Sequence, residues 1–525
     1  MGVRAPAGRV PAPPTGQEAE GGTGPRSGGG PHGAALRTPH RKGNAVPALE
    51  WIHVDGDRLA DEHGRTVVLT GVGLGGWMNM ENFVTGYPGS EGEIRRLLRE
   101  ATGREAYHAF FDAFLTGFFD EADARYLASL GMNCVRVPVN YRHFEDDGRP
   151  MEWKEAGFAA LDRVVTLLAE HGLYSVIDLH ALPGAQNQHW HSDNPTHRAA
   201  FWIHRHFQDR AVALWEELAD RYRDRPEVAG YNLVNEPSDP TGEALLAFYE
   251  RLEKAVRAVD GRHVLFLDGN RYSTDFSVFT RRAEPFPNCV YTAHDYALPG
   301  IAGATAYPGV TRGEYFDRSV VEGTFLRRTR FMRETGTPVW IGEFGPVYPT
   351  GRPVEEWRYA LLRDQLEIYR EHGAGWSLWT YKDIGLQGLV HAAPDSPYLR
   401  RVRPALEQKD RLGVDSWGGS DAGVRDVLDP IDALFEREFP GYEPYPWGRR
   451  QHIALLVRHI LLAEPLAERF AALFAGITPE EAVEAAHSFR FEHTVERTGL
   501  TAVLREHLLG AGPSGPAAGG ARNTG

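Results

Sequence analysis

Two glutamates carry the strongest chemical signal in the sequence. Glu236 lies in YNLVNEP (231–237) and Glu343 in VWIGEFG (339–345), each at the exit of a strongly apolar run. Such runs read as buried strands, and strand exits in a core ordinarily carry small or apolar groups. A carboxylate placed there must be satisfied by polar neighbours or face a polar ligand. Two carboxyl groups facing each other across a sugar can divide the labour of glycoside hydrolysis, one protonating the departing oxygen while the other attacks carbon or activates water. A separation of about 5–5.5 Å gives retention through a covalent intermediate, and about 6.5–9.5 Å leaves room for water and gives inversion.

Other predicted strand ends add polar groups suited to that chemistry. Arg136 lies in NCVRVPV (133–139), His180 in VIDLHALPGAQN (176–187), Asn235 beside Glu236, His294 and Tyr296 in YTAHDY (291–296), and Trp379 in GWSLWTYKD (375–383). Arg136 and the Tyr296 hydroxyl are expected to donate to Glu343 and favour its ionised form. Glu236 is expected to be the less charge-stabilised of the two, holding a proton for the departing oxygen. Asn235 suits a hydrogen bond to a ring hydroxyl, and Asp178, two residues before His180, suits orienting that imidazole. Trp379 is expected beneath the reacting pyranose, with Trp77, Trp190 and Tyr381 as candidate walls. Glu81, in GLGGWMNMEN (73–82), is a third acid suited to accepting hydroxyl hydrogen bonds from a terminal sugar.

Three further patterns are read more plainly. HWH (189–191) and HRH (204–206) are expected on a surface loop and an Arg-rich helix, so no metal is assigned. GVGLGGW (71–77) contains GxGxxG after a strand, but MNMENF follows where a phosphate-binding helix should begin. No nucleotide and no cofactor are assigned. There is no GxSxG elbow, and Cys134 sits mid-strand, which disfavours a Cys–His hydrolase.

The elements that must position these residues alternate along the chain. Short β-branched runs occur at 66–71, 133–139, 173–179, 228–234, 263–269, 288–294, 337–343 and 373–379. Segments 119–130, 155–171, 197–223, 243–259, 321–335 and 353–372 recur at helical spacing. Near-continuously apolar strands separated by helices describe a parallel sheet covered on the outside, and eight of them close a (β/α)8 TIM barrel whose strand C-termini build one mouth. After Trp379, residues 384–420 read as a long irregular loop and 422–436 as the last barrel helix. Residues 450–508 read as three or four helices without a strand, expected to pack beneath or beside the barrel, with a lid over the substrate cleft as the alternative. The predicted domains are a disordered tail over 1–49, a catalytic barrel over 50–436, a C-terminal helical appendage over 437–510 and a disordered tail over 511–525.

Composition narrows the classes. The 525 residues carry a formal net charge of −14, which favours no phosphate-tracking surface, so no nucleic acid is expected as a partner. No run of eighteen apolar residues exists to cross a bilayer, so no membrane insertion is expected. Cys134 and Cys289 sit in strand-like runs and are expected as buried thiols. The Gly- and Pro-rich first 49 residues lack the apolar stretch of a signal peptide, and the expected location is cytoplasmic.

In VRVPVNY, VIDLHALPGAQN, VNEP, AHDY, IGEFG and GWSLWTYKD, residues 51–436 resemble glycoside hydrolase family 5, the cellulase-like clan of retaining barrel enzymes. The joint order of Arg, His, Asn-Glu, His-x-Tyr, Glu and Trp carries the resemblance. It implies Glu236 as acid/base and Glu343 as nucleophile. GLGGWMNMENF and DLHALPGAQN are similar to the exo-β-1,3-glucanase-like branch, which supports Glu81 near the terminal sugar, although the YPG segment and the tail after the barrel depart from it. The function implied is a retaining β-glycoside hydrolase, exo-acting on short β-linked oligosaccharides or glycosides in the manner of a β-glucosidase. The alternatives are β-mannosidase or another sugar specificity on the same scaffold, a transglycosylase using the same glutamates, and a non-catalytic carbohydrate-binding protein.

Overall fold

A computed structural model describes residues 48–348 and 355–510 of the chain. The tails predicted over 1–49 and 511–525 fall, apart from residues 48 and 49, outside the described residues. Eight parallel strands close into a barrel. They are β1 (Thr70–Gly73), β2 (Cys134–Asn140), β3 (Tyr174–Ala181), β4 (Val228–Asn232), β5 (Val264–Asp268), β6 (Cys289–His294), β7 (Val339–Phe344) and β8 (Gly375–Leu378). β8 pairs with β1 and β6 with β7, so neither edge is left open. Every residue of β2 and β3 is buried, because one face fills the barrel and the other is covered by helices.

The covering helices follow from apolar spacing. In Glu155–Glu170 the buried residues Phe158, Leu161, Val164, Val165 and Leu168 form one stripe against the sheet. The helix Glu121–Ser129 starts at Asp120, whose side chain accepts from Ala122 N while Asp123 bonds back to Asp120 N. At the N-terminal end of the barrel, an antiparallel hairpin (Ile52–Asp55 with Arg58–Asp61) places Ile52 and Leu59 in a cluster with Cys134, Val176, Phe266 and Trp340, closing that end. Both cysteines are free and buried.

Four sequence expectations change here. The run 66–71 is divided: Thr66–Val67 pairs with Leu59 and Ala60 in the hairpin sheet, and only Thr70 onward enters the barrel. Within 384–420 lies a helix, Pro397–Arg411, preceded by a short strand, Val390–Ala392. That strand pairs with Thr494–Glu496, a strand in a stretch expected to hold none. The helix Arg425–Glu438, expected to complete the barrel, instead packs against Arg449–Leu456 through Val424, Leu428, Ile453 and Ala454.

The last position of the helical ring belongs to Thr498–Leu509. Its Gly499 lies on the Tyr359 ring, and Glu506 approaches Arg363 of helix Glu356–Glu371 (3.5 Å). Its other side, Leu508 and Leu509, meets Gly131 just after helix Glu121–Ser129. Everything between β8 and this helix is therefore an insertion, rising from the strand C-termini. Lys382, fully buried at its start, donates to Asp123 Oδ1 (2.7 Å) and to the carbonyls of Phe118 (2.7 Å) and Phe489 (2.8 Å), tying insertion to barrel.

Candidate active site

The strand exits converge on a cavity of about 370 Å³ lined by Glu81, His180, Glu236, His294, Tyr296, Glu343 and Trp379 among others. Glu343, near the end of β7, accepts from Arg136 Nη1 at Oε1 (2.7 Å) and from the Tyr296 hydroxyl at Oε2 (2.8 Å). Arg136 is fully buried; its remaining nitrogens reach Asn232 Oδ1 (3.0 Å), Asn235 Oδ1 (2.6 Å) and Asp178 Oδ2 (3.1 Å). A guanidinium forked among four acceptors is a rigid mount, which fixes the direction of the Glu343 carboxylate.

Glu236 sits four residues past β4 with φ +45°, an uncommon conformation for a side-chain-bearing residue that costs about 1–3 kcal/mol. Hydrogen bonds from the loop after β3 hold it. Gln186 donates to the carbonyls of His180 (2.7 Å) and Asn235 (2.9 Å), and Asn187 to that of Glu236 (3.0 Å). The Glu236 amide donates to Asp268 Oδ2 (2.9 Å). These amides explain the chemistry of PGAQN, whose Gln and Asn had no assigned task in the sequence.

The Glu236 carboxylate lies 2.6 Å from His294 Nδ1 and 3.1 Å from His191 Nε2. Burial acts to raise its pKa, but these two imidazoles outweigh burial and hold it well below the usual carboxylate range. His294 shifts upward: burial opposes its charge, and Glu343, Asp268 and Glu236 overcome that. This corrects the expectation that Glu236 is the less charge-stabilised acid. The two shifts belong to the Glu236–His294 pair as a unit.

An oxygen of Glu236, an oxygen of Glu343 and a ring nitrogen of His294 all lie within 4.8 Å of one another. This close approach is in line with the short carboxyl separation of a retaining pair. The trio does not suit a cation, because Arg136 and Tyr296 donate to Glu343 and His294 Nδ1 faces Glu236.

His180 hydrogen-bonds Asp178 Oδ2 through Nδ1 (2.7 Å), lies 3.1 Å from Glu81 Oε1 through Nε2, and stacks on Trp379 with ring centres 5.4 Å apart. Glu81 thus faces His180 through Oε1, and its side chain contributes to the cavity wall. Burial acts to lower the His180 pKa; Asp178 and Glu81 outweigh it and push it up to about 10. The folded value lies above the ordinary 6.5, so the resulting stabilisation is complete below about pH 6.5 and is lost as pH rises through about 10. The stability difference between wild type and His180→Gln is therefore expected to shrink between about pH 6 and pH 10 in urea denaturation series; a difference that widens would remove this ion pair.

The glycine-rich GVGLGGW is a seat for an aromatic ring. A Cβ on Gly73 or Gly75 would lie 2.6 or 2.7 Å from Trp379 ring carbons, so only glycine lets the indole lie against β1 and its loop.

The three candidate aromatic walls do not line the cavity. Trp77 is fully buried, donating to the Leu115 carbonyl (2.8 Å). Trp190 stacks on His459 at 4.1 Å inside the insertion, and Tyr381 is buried with its hydroxyl on Asp123. Each indole or phenol has an apolar partner surface that competes with the mouth, and packing wins. His204 and His206 are exposed, as expected for HRH. HWH is corrected: His189 and His191 line the cavity. The sequence reasoning also missed Tyr272, after β5, and Trp417, Trp447, Gln451 and Leu455 from the insertion. Trp417 is held over the site by its own amide on Asp415 Oδ1 (2.9 Å) and its indole on Gln387 (2.9 Å). Asp415 in turn accepts from Asn82, next to Glu81, and from Lys409. The insertion thus roofs the mouth rather than lying only beside the barrel.

A closed parallel barrel with paired carboxylates at this separation, at its C-terminal mouth, defines a retaining glycoside hydrolase. Residues 109–385 match the cellulase (glycosyl hydrolase family 5) model. A protein named "Beta-xylosidase" from Phanerodontia chrysosporium is 45% identical over 471 residues, covering 87% of this chain and 98% of that relative. A "Probable glucan 1,3-beta-glucosidase A" of Aspergillus fumigatus is 28% identical over 361 residues, 61% of this chain and 84% of the relative. "Endoglucanase C" of Acetivibrio thermocellus is 23% identical over 310 residues, 53% of this chain and 87% of the relative. The chain belongs to glycosyl hydrolase family 5. It acts on carbohydrate as a retaining glycosidase.

Proposed function

We propose that this enzyme releases single pyranose units from the non-reducing end of short β-linked oligosaccharides or glycosides, with a terminal β-xyloside or β-glucoside as substrate. The approach of the Glu236 and Glu343 oxygens to within 4.8 Å, beneath a roof contributed by Trp417, carries this reading. Glu343, held by Arg136 and Tyr296, attacks the anomeric carbon and forms the glycosyl-enzyme. Glu236 delivers a proton to the departing oxygen and then draws a proton from the incoming water. Trp379 underlies the sugar ring, and Glu81, which lines the cavity, accepts from its hydroxyls. Asn235, His180 and Arg136 position these groups: Asn235, expected to bond a sugar hydroxyl, is fully buried with its carbonyl oxygen on Arg136 (2.6 Å) and its amide nitrogen 3.3 Å from His180 Nε2.

The relative named "Beta-xylosidase", matched over nearly its full length, supports xylose at the terminal position. The glucan 1,3-beta-glucosidase relative supports glucose, which differs by one hydroxymethyl group on C5. Hydrolysis of p-nitrophenyl β-xyloside, β-glucoside, β-mannoside and β-galactoside, followed by product analysis on xylo- and gluco-oligosaccharides, tests both statements. Monosaccharide is the expected first product. Mainly internal cuts would overturn exo-action, and preference for mannoside or galactoside would overturn the assigned sugars.

A further inference from the structure

We infer that Tyr272 and Trp447 together form the platform for the leaving group's ring, a second pyranose or a planar aglycone, so that the C-terminal insertion sets which glycosides the enzyme accepts. This rests on the reading of Glu236 as the residue that protonates the departing oxygen. The leaving group must lie on the Glu236 side of the cavity. From the Glu236 carboxylate the contacts run outward to His191 (3.1 Å), then to the Tyr272 ring (6.1 Å between ring centres), then to Trp447, stacked on Tyr272 at 5.2 Å and 26°. The other roof indole, Trp417, belongs to the opposite side. It meets Tyr296 edge-on at 4.8 Å and Phe83 at 6.3 Å, beside the groups that hold Glu343 and Glu81.

The segment that presents Tyr272 is strained. Arg271, Tyr272 and Ser273 all have φ between +51° and +58°, and three consecutive side-chain-bearing residues in that region cost about 1–3 kcal/mol each. Such strain persists only where surrounding contacts overdetermine it. Here the Tyr272 amide donates to the Pro237 carbonyl (3.2 Å), one residue past Glu236, and its hydroxyl reaches Gln188 Oε1 (3.1 Å). Trp447 is fixed from its own side. Arg449 pairs with Asp432 (3.0 Å), the His197 ring backs the indole at 5.5 Å, and the Tyr445 hydroxyl reaches Asn270 Oδ1 (3.4 Å). Both rings remain half-buried and line the cavity, which leaves aromatic surface for a ligand ring. Tyr272 lies within the family match and Trp447 beyond residue 385, where that match ends, so the insertion supplies one of the two rings.

The test compares two substrates of the sugar that wild type hydrolyses: a β-linked disaccharide, whose leaving group is a ring, and the β-glycosyl fluoride, whose leaving group has none. In Trp447→Ala the loss of kcat/KM on the disaccharide is expected to exceed the loss on the fluoride by about tenfold. Trp447→Phe, which keeps an aromatic face, is expected to recover most of that difference. Trp447→Leu, which keeps apolar bulk alone, serves the same comparison if the alanine variant does not fold, and is expected to show the same excess loss. Equal losses on both substrates, or recovery by leucine as good as by phenylalanine, would overturn the platform. Absence of wild-type turnover on either substrate would instead overturn the proposed function.

Discussion

Replacing Glu343 by alanine is expected to lower kcat by about 10⁴-fold or more, a loss of about 5.5 kcal/mol in transition-state stabilisation. The variant should fold, because Arg136 keeps Asn232, Asn235 and Asp178 when the carboxylate is gone. What disappears is the attacking oxygen, and the space it leaves lies between two donors, Arg136 Nη1 and the Tyr296 hydroxyl. That space suits a small anion. Azide is expected to restore turnover of a 2,4-dinitrophenyl glycoside and to yield the α-glycosyl azide, because attack then occurs once, from the face that Glu343 used. Steady-state rates and the anomeric proton signal of the product read both outcomes. A loss of less than a hundredfold, or a β-glycosyl azide, would remove Glu343 from the nucleophile position.

The second large effect concerns Glu236 and depends on the leaving group. A 2,4-dinitrophenolate departs with little protonation, so Glu236→Ala should reduce kcat/KM for formation of the glycosyl-enzyme by less than about tenfold on that substrate. A disaccharide, whose departing alkoxide needs the proton, should lose about 10²–10⁴-fold. His294 loses the carboxylate that lies 2.6 Å from its Nδ1 and keeps Glu343 at 3.6 Å, so an acidic neighbour remains and the fold should survive. The contrast between the two substrates is the measurement. Equal losses on both would mean that Glu236 positions the substrate and does not move a proton.

Local chemistry made the barrel readable. Each of the eight strands overlaps a run read as a strand from the sequence, because strands buried on both faces need near-continuous apolar sequence. The error at 66–71 has the same origin: Thr66, Val67 and Thr70 have equal strand character, and nothing local states that two of them join the hairpin sheet. The inner ring of site residues was readable for the complementary reason. A carboxylate or imidazole at the end of an apolar run is conspicuous, and His180, Glu236, His294 and Glu343 fall at or just past such ends, whereas Arg136, read as a strand-end residue, lies inside β2 and stands out as a charge within an apolar run.

The outer wall was not readable. Trp417 and Trp447 reach the cavity because Asp415, Asn270 and Arg449 anchor loops tens of residues after β8, and no periodicity records such contacts. Trp77, Trp190 and Tyr381 show the reverse failure: the right residue types beside the right motifs, turned away by better packing elsewhere. The Glu236 charge was misjudged because its decisive neighbour, His191, lies in a loop whose sequence looks like surface.

The ring of helices is sealed by its most distant member, and this orders events during synthesis. As the chain emerges from a ribosome, β8 is made long before Thr498–Leu509, the helix that must cover the gap beside it. Until then the apolar strip that Leu500, Val503 and Leu504 will occupy stands open to water and to other nascent chains. The roof over the sugar is made in that interval. A polypeptide stopped after residue 436 would carry every residue of the reacting pair and still lack the piece that makes the cylinder watertight.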